Sequence, residues 1–278
     1  MAKKTADDVT TVDSISAFVD ATFDFSNKDN ILFRGQRCSS WDFKPTLARI
    51  SRRDRTSTLK QIEKSLMDAF HRQYLPFLSR DVKDEWDVLA LARHHGLATR
   101  LLDWSTNPLV ALWFAVRGPA EAEPGAVFMF APEEKDFLPK ENRDSSPYEV
   151  TQTRFFQPTN LNPRIVAQSG WHSVTAWNEL DEFSALDQLP QYKDRIKRVH
   201  IPAQCFPVIR ARLDRLAVNE ASLFPSLDGL CTHLNWLNTR LSDEQQDLLL
   251  DGAQVIPAPG STAPTNKASA LLKARPRT

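Results

Sequence analysis

The chain has 278 residues, 41% hydrophobic and 25% charged, an ordinary globular balance with length for one large domain or two small ones. Lys+Arg and Asp+Glu are equal at 35 each, which excludes a global field that would recruit nucleic acid or an anionic membrane. Three scattered cysteines, Cys38, Cys205 and Cys231, argue against a disulfide framework and a thiolate zinc site and suit a reducing cytosol.

Residues 1–10, "MAKKTADDVT", have no apolar core behind their lysines and read as a disordered, non-secretory start. No apolar run approaches the ~18 residues of a membrane span, so a soluble, cytoplasmic protein without a membrane partner is expected. In "TVDSISAFVDATFDF" the spacing predicts a helix with Ile15, Phe18, Val19 and Phe23 on one face and Asp13 or Ser14 as cap. "ILFRGQ" reads as a short strand stopping at a glycine, and "SSWDFKPTLARI" as a loop. A helix is expected from about Ser57 to Phe77, with Leu59, Ile62, Leu66, Ala69, Phe70 and Tyr74 near the helical period. "DEWDVLALARHHG" gives another, closed by Gly96.

"LATRLLDWS" reads as extended. Thr99, Leu101 and Asp103 then face one side, and Arg100, Leu102 and Trp104 the other. "NPLVALWFAV" has the marks of a helix start, with Asn107 as cap and Pro108 at the first helical position. "GAVFMFAP" is a buried strand, residues 131–163 a long loop, and "RIVAQSGWHSVTA" and "RIKRVHIPA" two more strands. "CFPVIRARLDRLAV" and "SLDGLCTHLNWLNTRL" are expected as closing helices. The order, helices first and then strands and helices mixed, predicts a single α+β domain over residues 11–250, its helices packed on a small mixed or antiparallel sheet. Residues 251–278, rich in Pro, Ala, Ser and Thr, read as a flexible basic tail.

Polar chemistry concentrates in "RHHGLATRLLDWSTN". Ser105 and Thr106 precede the Asn107 cap, a place where hydroxyls and free backbone N–H groups can meet an anion; taken by itself, the feature is first explained by simple capping. His94 and His95 are adjacent and cannot chelate one metal as an i, i+4 pair would. No HExxH or CxxC spacing occurs, so no metal is expected. Arg34 is costly to bury without an anionic partner. It would serve a ligand carboxylate or phosphate, or a structural pair with a residue such as Asp103. Gly35 lets a ligand or a backbone come close. The phosphate loop, GxGxxG and GxSxG patterns are all absent.

"FRGQ" followed some sixty residues later by "RHHGLATRLLDWSTNPLVALWFA" resembles the FRG domain family, named for its Phe-Arg-Gly motif. "NPRIVAQSGWHSV" and "LFPSLDGLCTHL" look like that family's third and C-terminal blocks. The likeness departs at Arg93, His95, Ala98 and Trp171–His172. It implies a setting in bacterial or phage conflict and defence. The same order, "FRG", "STNPLVALWFA", "RIVAQSG", is similar to ADP-ribosyltransferases, which implies such a fold and an enzyme using NAD. By that resemblance Arg34, Ser105 and Gln168 are the catalytic positions. Arg34, Gly35, His94, Thr99, Arg100, Asp103 and Thr106 are the cofactor-binding positions. Gln168 stands where those enzymes carry Glu, so a hydrogen bond is kept and a charge that would steady an oxocarbenium-like transition state is lost; Glu149 and Glu179 are near in sequence. The alternative on the same scaffold is a non-catalytic sensor or interaction domain with a nucleotide or NAD-like ligand and a macromolecular target. A nucleic-acid-processing site built on Asp103 and a His lacks the acidic pair that Mg²⁺ needs.

Overall fold

The computed structural model describes residues 10–25, 30–53, 56–78, 82, 84–139, 143–159, 163–178, 180 and 182–244. The readings of residues 1–9 as disordered and 251–278 as a basic tail fall outside these, as do residues 245–250 and Glu179; Thr10 belongs to a strand. The described residues fall in one compact unit that ends at Glu244. The unit is α+β, with eight α-helices and a seven-stranded mixed sheet among the described residues.

The strands are β1 (Thr10–Thr11), β2 (Leu32–Gln36), β3 (Leu101–Ser105), β4 (Gly125–Phe130), β5 (Arg154–Phe156), β6 (Gly170–Val174) and β7 (Ile196–Ile201). They run in the order β1-β7-β4-β2-β3-β6-β5. All neighbours are antiparallel except the parallel pair β1 and β7. Strand β4 is buried along its whole length, as expected of a strand covered on both faces. Val127 and Met129 share one core with the helices α1 (Ile15–Phe25), α4 (Pro108–Val116) and α6 (Phe206–Arg215). Ala126, Phe128 and Phe130 join Phe43, Trp104, Phe155 and Tyr192 in another. A third core sets α3 (Glu85–His94) against Leu101, Phe156 and Val174.

Caps follow the sequence closely. Asn107 Oδ1 accepts from Leu109 N at 3.0 Å and Pro108 opens α4. Ser14 Oγ accepts from Ala17 N at the start of α1, and Gly96 takes φ +91° just past α3. The helix expected over 57–77 is α2 (Leu59–Gln73) followed by a separate 3₁₀ turn at Leu75–Phe77; Pro76 lacks the N–H that would continue it. In α1 the buried face runs through Phe18, Ala21 and Thr22, and Phe23 is 74% exposed, contrary to its expected place. Residues 131–163 are not one loop, because Arg154–Phe156 pairs with β6. "RIVAQSGWHSVTA" divides into the short helix α5 (Pro163–Ala167) and β6, turning at Ser169 with φ 48°. Helices α7 (Glu220–Leu223) and α8 (Leu227–Asn238) close the described chain. No helix among the described residues is long and apolar enough to cross a membrane.

Candidate functional site

The site begins as a fork in the sheet. Strands β2 and β4 are in register along their length, as are β3 and β6, but β2 and β3 share the single pair Phe33↔Ser105. A cleft of about 600 Å³ lies at this junction, lined from β2, β3, the end of α3, α4, α5 and β6.

Forked strands leave backbone groups without ladder partners, and buried groups must be satisfied some other way. Arg34 does this for β3, donating from Nη1 to the carbonyl oxygen of Asp103 at 2.7 Å. Its guanidinium lies 6.0 Å from the centre of the Phe43 ring, and its Nε is buried without a hydrogen-bond partner. Burial lowers the Arg34 pKa to about 10; Asp103 pulls it up, while Arg93 and Arg49 push it further down. The group is cationic at neutral pH.

Asp103 is already engaged. Arg93, in the last turn of α3, donates to it through Nε at 3.2 Å and Nη2 at 2.6 Å. His172, its register partner on β6, places Nδ1 3.3 Å from Oδ1. Burial alone would raise this carboxyl, but the Arg93 charge and His172 outweigh it and hold the pKa well below the usual range. The carboxylate keeps 45% of its side-chain surface open to the cleft. His94 lies on the same wall. Burial, then Arg164, His95 and His172, push its pKa down to about 4 against the pull of Asp103, so the ring is neutral at pH 7.

Two further arginines form the rim. Arg164 of α5 sits 4.1 Å over the Phe224 ring, and Arg117, just past α4, packs 5.3 Å from the same ring. Phe224 is thus a platform holding two guanidiniums apart. Arg117 pairs with Glu220 at 3.6 Å. Beyond it the cleft meets a second cavity of about 530 Å³, which shares Arg34, Gly35, Phe114 and Arg117 and adds Arg37, Trp41 and Arg49.

Residues 29–123 match the model of the FRG domain family. Over these residues the chain is similar to the FRG domain. No curated protein and no solved structure matches it. The matched residues include Arg34, Arg93, Asp103 and Ser105. Arg164, Gln168, Trp171 and His172, which complete the cleft, follow the matched residues.

Of the residues singled out in the sequence, Arg34, Gly35, His94, Asp103, Ser105 and Gln168 line this one cleft. Thr99, Arg100 and Thr106 do not. Arg100 is 1% exposed and forms an ion pair with Glu63 of α2 through Nε, at 2.9 Å to both carboxylate oxygens, and through Nη2. It is sandwiched between Tyr148 and Trp177 and belongs to the core. Thr99 is buried beside it, its hydroxyl accepting from Leu101 N. Thr106 is exposed and bonds Ser169 O through its backbone.

Within the cleft, two groups are committed to holding its walls. Ser105 Oγ donates to Gln168 O at 2.7 Å and accepts from Asn107 N at 2.9 Å. The Gln168 side-chain Nε2 donates to Leu223 O at 3.0 Å. Gly35 serves the backbone of α4, since a Cβ there would lie 1.9 Å from Ala111 O. Sequence reasoning missed Arg93, Arg117, Arg164 and His172. Only His172 had a usable signal, through the pairing of "LLDWS" with "GWHSV" that sets it opposite Asp103.

Proposed function

We propose that the fork of this FRG domain binds the phosphates of NAD or an NAD-like nucleotide, with Arg34 as the anchoring cation. The observation that carries this reading is the charge of the cleft. Arg34, Arg93, Arg117 and Arg164 line it; Asp103 pairs with Arg93 and Glu220 with Arg117, so among the described residues the cations outnumber the carboxylates. Clustered guanidiniums depress one another, as Arg34 and Arg164 are depressed by their neighbours after burial, and a ligand dianion relieves that repulsion. The buried, unpartnered Nε of Arg34 is a donor a phosphate oxygen can take. A volume of about 600 Å³ is ordinary for a cofactor cleft.

On this reading NAD supplies the glycosidic bond to be broken, in the manner of an ADP-ribosyltransferase, and the protein supplies position and charge. Arg34 and Arg164 hold phosphate, and Trp171 offers an aromatic face. Asp103 is the carboxylate that lines the cleft among the described residues, and it would stand beside the reacting sugar. A second reading, a non-catalytic sensor of the same ligand, is favoured by one observation: the side-chain Nε2 of Gln168, at the position where the transferases carry Glu, donates to Leu223 O, and the group carries no charge. The conflict or defence setting implied by the family resemblance belongs to the proposal with either reading.

Calorimetric titration with NAD, ADP-ribose and ATP, beside an assay of nicotinamide release, tests the site. Wild type is expected to bind NAD or ADP-ribose, and Arg34→Ala to bind roughly 10- to 100-fold more weakly. Gln168→Ala should stay within about threefold of wild type, because its side chain faces Leu223. Nicotinamide release selects the transferase, and binding without release selects the sensor. No binding of any of the three at ~1 mM refutes both.

A further inference from the structure

We propose that helix α8 is a self-association surface through which two copies of this chain pair. The helix is capped by Ser226, whose Oγ accepts from Gly229 N at 3.1 Å. It is held to its own protomer along one stripe. At Gly229 a Cβ would lie 1.9 Å from Phe224 O. His233 Nε2 lies 3.5 Å from Asp214. Trp236 Nε1 donates to Glu244 at 3.0 Å. Anchored there, the helix presents Leu227, Leu230, Leu234 and Leu237 outward, 79%, 44%, 47% and 50% exposed.

Single exposed leucines are unremarkable on a protein surface. Four at intervals of three, four and three are the a and d positions of a heptad. At ~100° per residue they fall within about 80° of arc on one side of the helix. The chemistry of the flanks selects the occupant. Asp228 is the sole formally charged residue in α8, and Cys231 and Asn238 beside the stripe are neutral and exposed. A two-fold pair sets each surface against itself, so a face without charge meets its copy without repulsion. The same neutrality offers nothing to a charged partner and lacks the basic flank of a helix that lies on anionic lipid. Twelve residues make a seam of about 18 Å, short of a standard interface, so the pairing is concentration-dependent with a dissociation constant in roughly the micromolar range.

Sedimentation of the full chain over about 1–300 µM, with Cys231 as a built-in reporter, tests this. Cys231 flanks the stripe and is exposed, whereas Cys38 is buried. Wild type should shift from monomer to dimer, and a short bis-maleimide should cross-link it through Cys231. Leu230→Glu/Leu234→Glu should remain monomeric with an unchanged melting temperature, and Cys231→Ser should dimerise without cross-linking. Leu227→Ser, at the most exposed position, should weaken the dimer and guards against a folding defect in the double variant. A wild type that stays monomeric throughout overturns the proposal; if its α8 amides are then protected from exchange, residues 245–278 of the same chain cover the stripe. A dimer that survives both leucine variants, or binding of the wild-type monomer to phosphatidylcholine vesicles, also overturns it.

Discussion

Arg34 of β2 reaches across the fork of the sheet to the main-chain carbonyl of Asp103 on β3, at 2.7 Å, and leaves the Asp103 carboxylate to Arg93. The arginine of the Phe-Arg-Gly motif therefore substitutes for a missing ladder bond and has no carboxylate partner among the described residues. That separates its contribution to stability from the phosphate-binding role proposed for it.

Replacing Arg34 by Ala removes one hydrogen bond and one repelling charge. The expected loss of stability is about 1–2 kcal/mol, well below that of a broken buried ion pair, while nucleotide affinity is lost. Urea unfolding beside calorimetry checks this. A loss of stability as large as that of Arg100→Ala would make Arg34 a structural residue.

Arg100 and Glu63 are 1% and 2% exposed in their side chains. Arg100→Ala strands a buried carboxylate and should destabilise by ~3–5 kcal/mol. Arg100→Ala/Glu63→Ala should recover part of this, because no lone charge remains. Urea unfolding of the two single variants and the double variant reads out the coupling, and ligand affinity measured well below each midpoint should be unchanged.

Gly35→Ala puts a methyl group into the backbone of α4, 1.9 Å from Ala111 O and 2.8 Å from Ala115 N. Neither atom is the end of a flexible side chain. The variant should lose more than ~3 kcal/mol or fail to fold, as judged by soluble yield and thermal melting.

The His94 pKa is about 4 in the fold, lowered first by burial and then by Arg164, His95 and His172, against about 6.5 in an unfolded chain. Between those values the unfolded chain holds the extra proton. This contribution therefore favours the fold fully above pH ~6.5 and is lost progressively as pH falls toward 4. His94→Gln should flatten the stability profile in that window. A bound dianion reverses the local field, so NAD-like ligands should bind with proton uptake, more tightly at pH 5.5 than at 7.5. Calorimetry in buffers of different ionisation enthalpy detects the proton.

The sequence carried the fold further than it carried the site. "ILFRGQ", "NPLVALWFAV" and "GAVFMFAP" became β2, α4 and β4 because their patterns are local: a short apolar cluster beside a glycine, a cap followed by proline, an unbroken apolar run. Arg34 and Arg100 looked alike, each an arginine among apolar residues, and their roles diverge through distant partners. Glu63, 37 residues away, takes Arg100 into the core, whereas no carboxylate among the described residues pairs with Arg34. Arg164 was illegible because it depends on Phe224, sixty residues on, and Arg117 is placed by the same ring. Residues 154–156 were read as loop because three residues show no alternation; only the register with β6 makes them a strand.

Helix α4 leaves β3 through the Asn107 cap and lies on β2 at Gly35 with no side chain between the two backbones. It is joined by covalent chain to one arm of the fork and pressed against the other. Such a clasp has no slack, so the cleft is a fixed jaw and not a pair of hinged ones. A nucleotide of the kind proposed would then enter an opening already at its final width, and stopped-flow association should be a single concentration-dependent phase without a following isomerisation. The glycine in the motif thus sets how the site is approached, by denying its two arms any freedom to part.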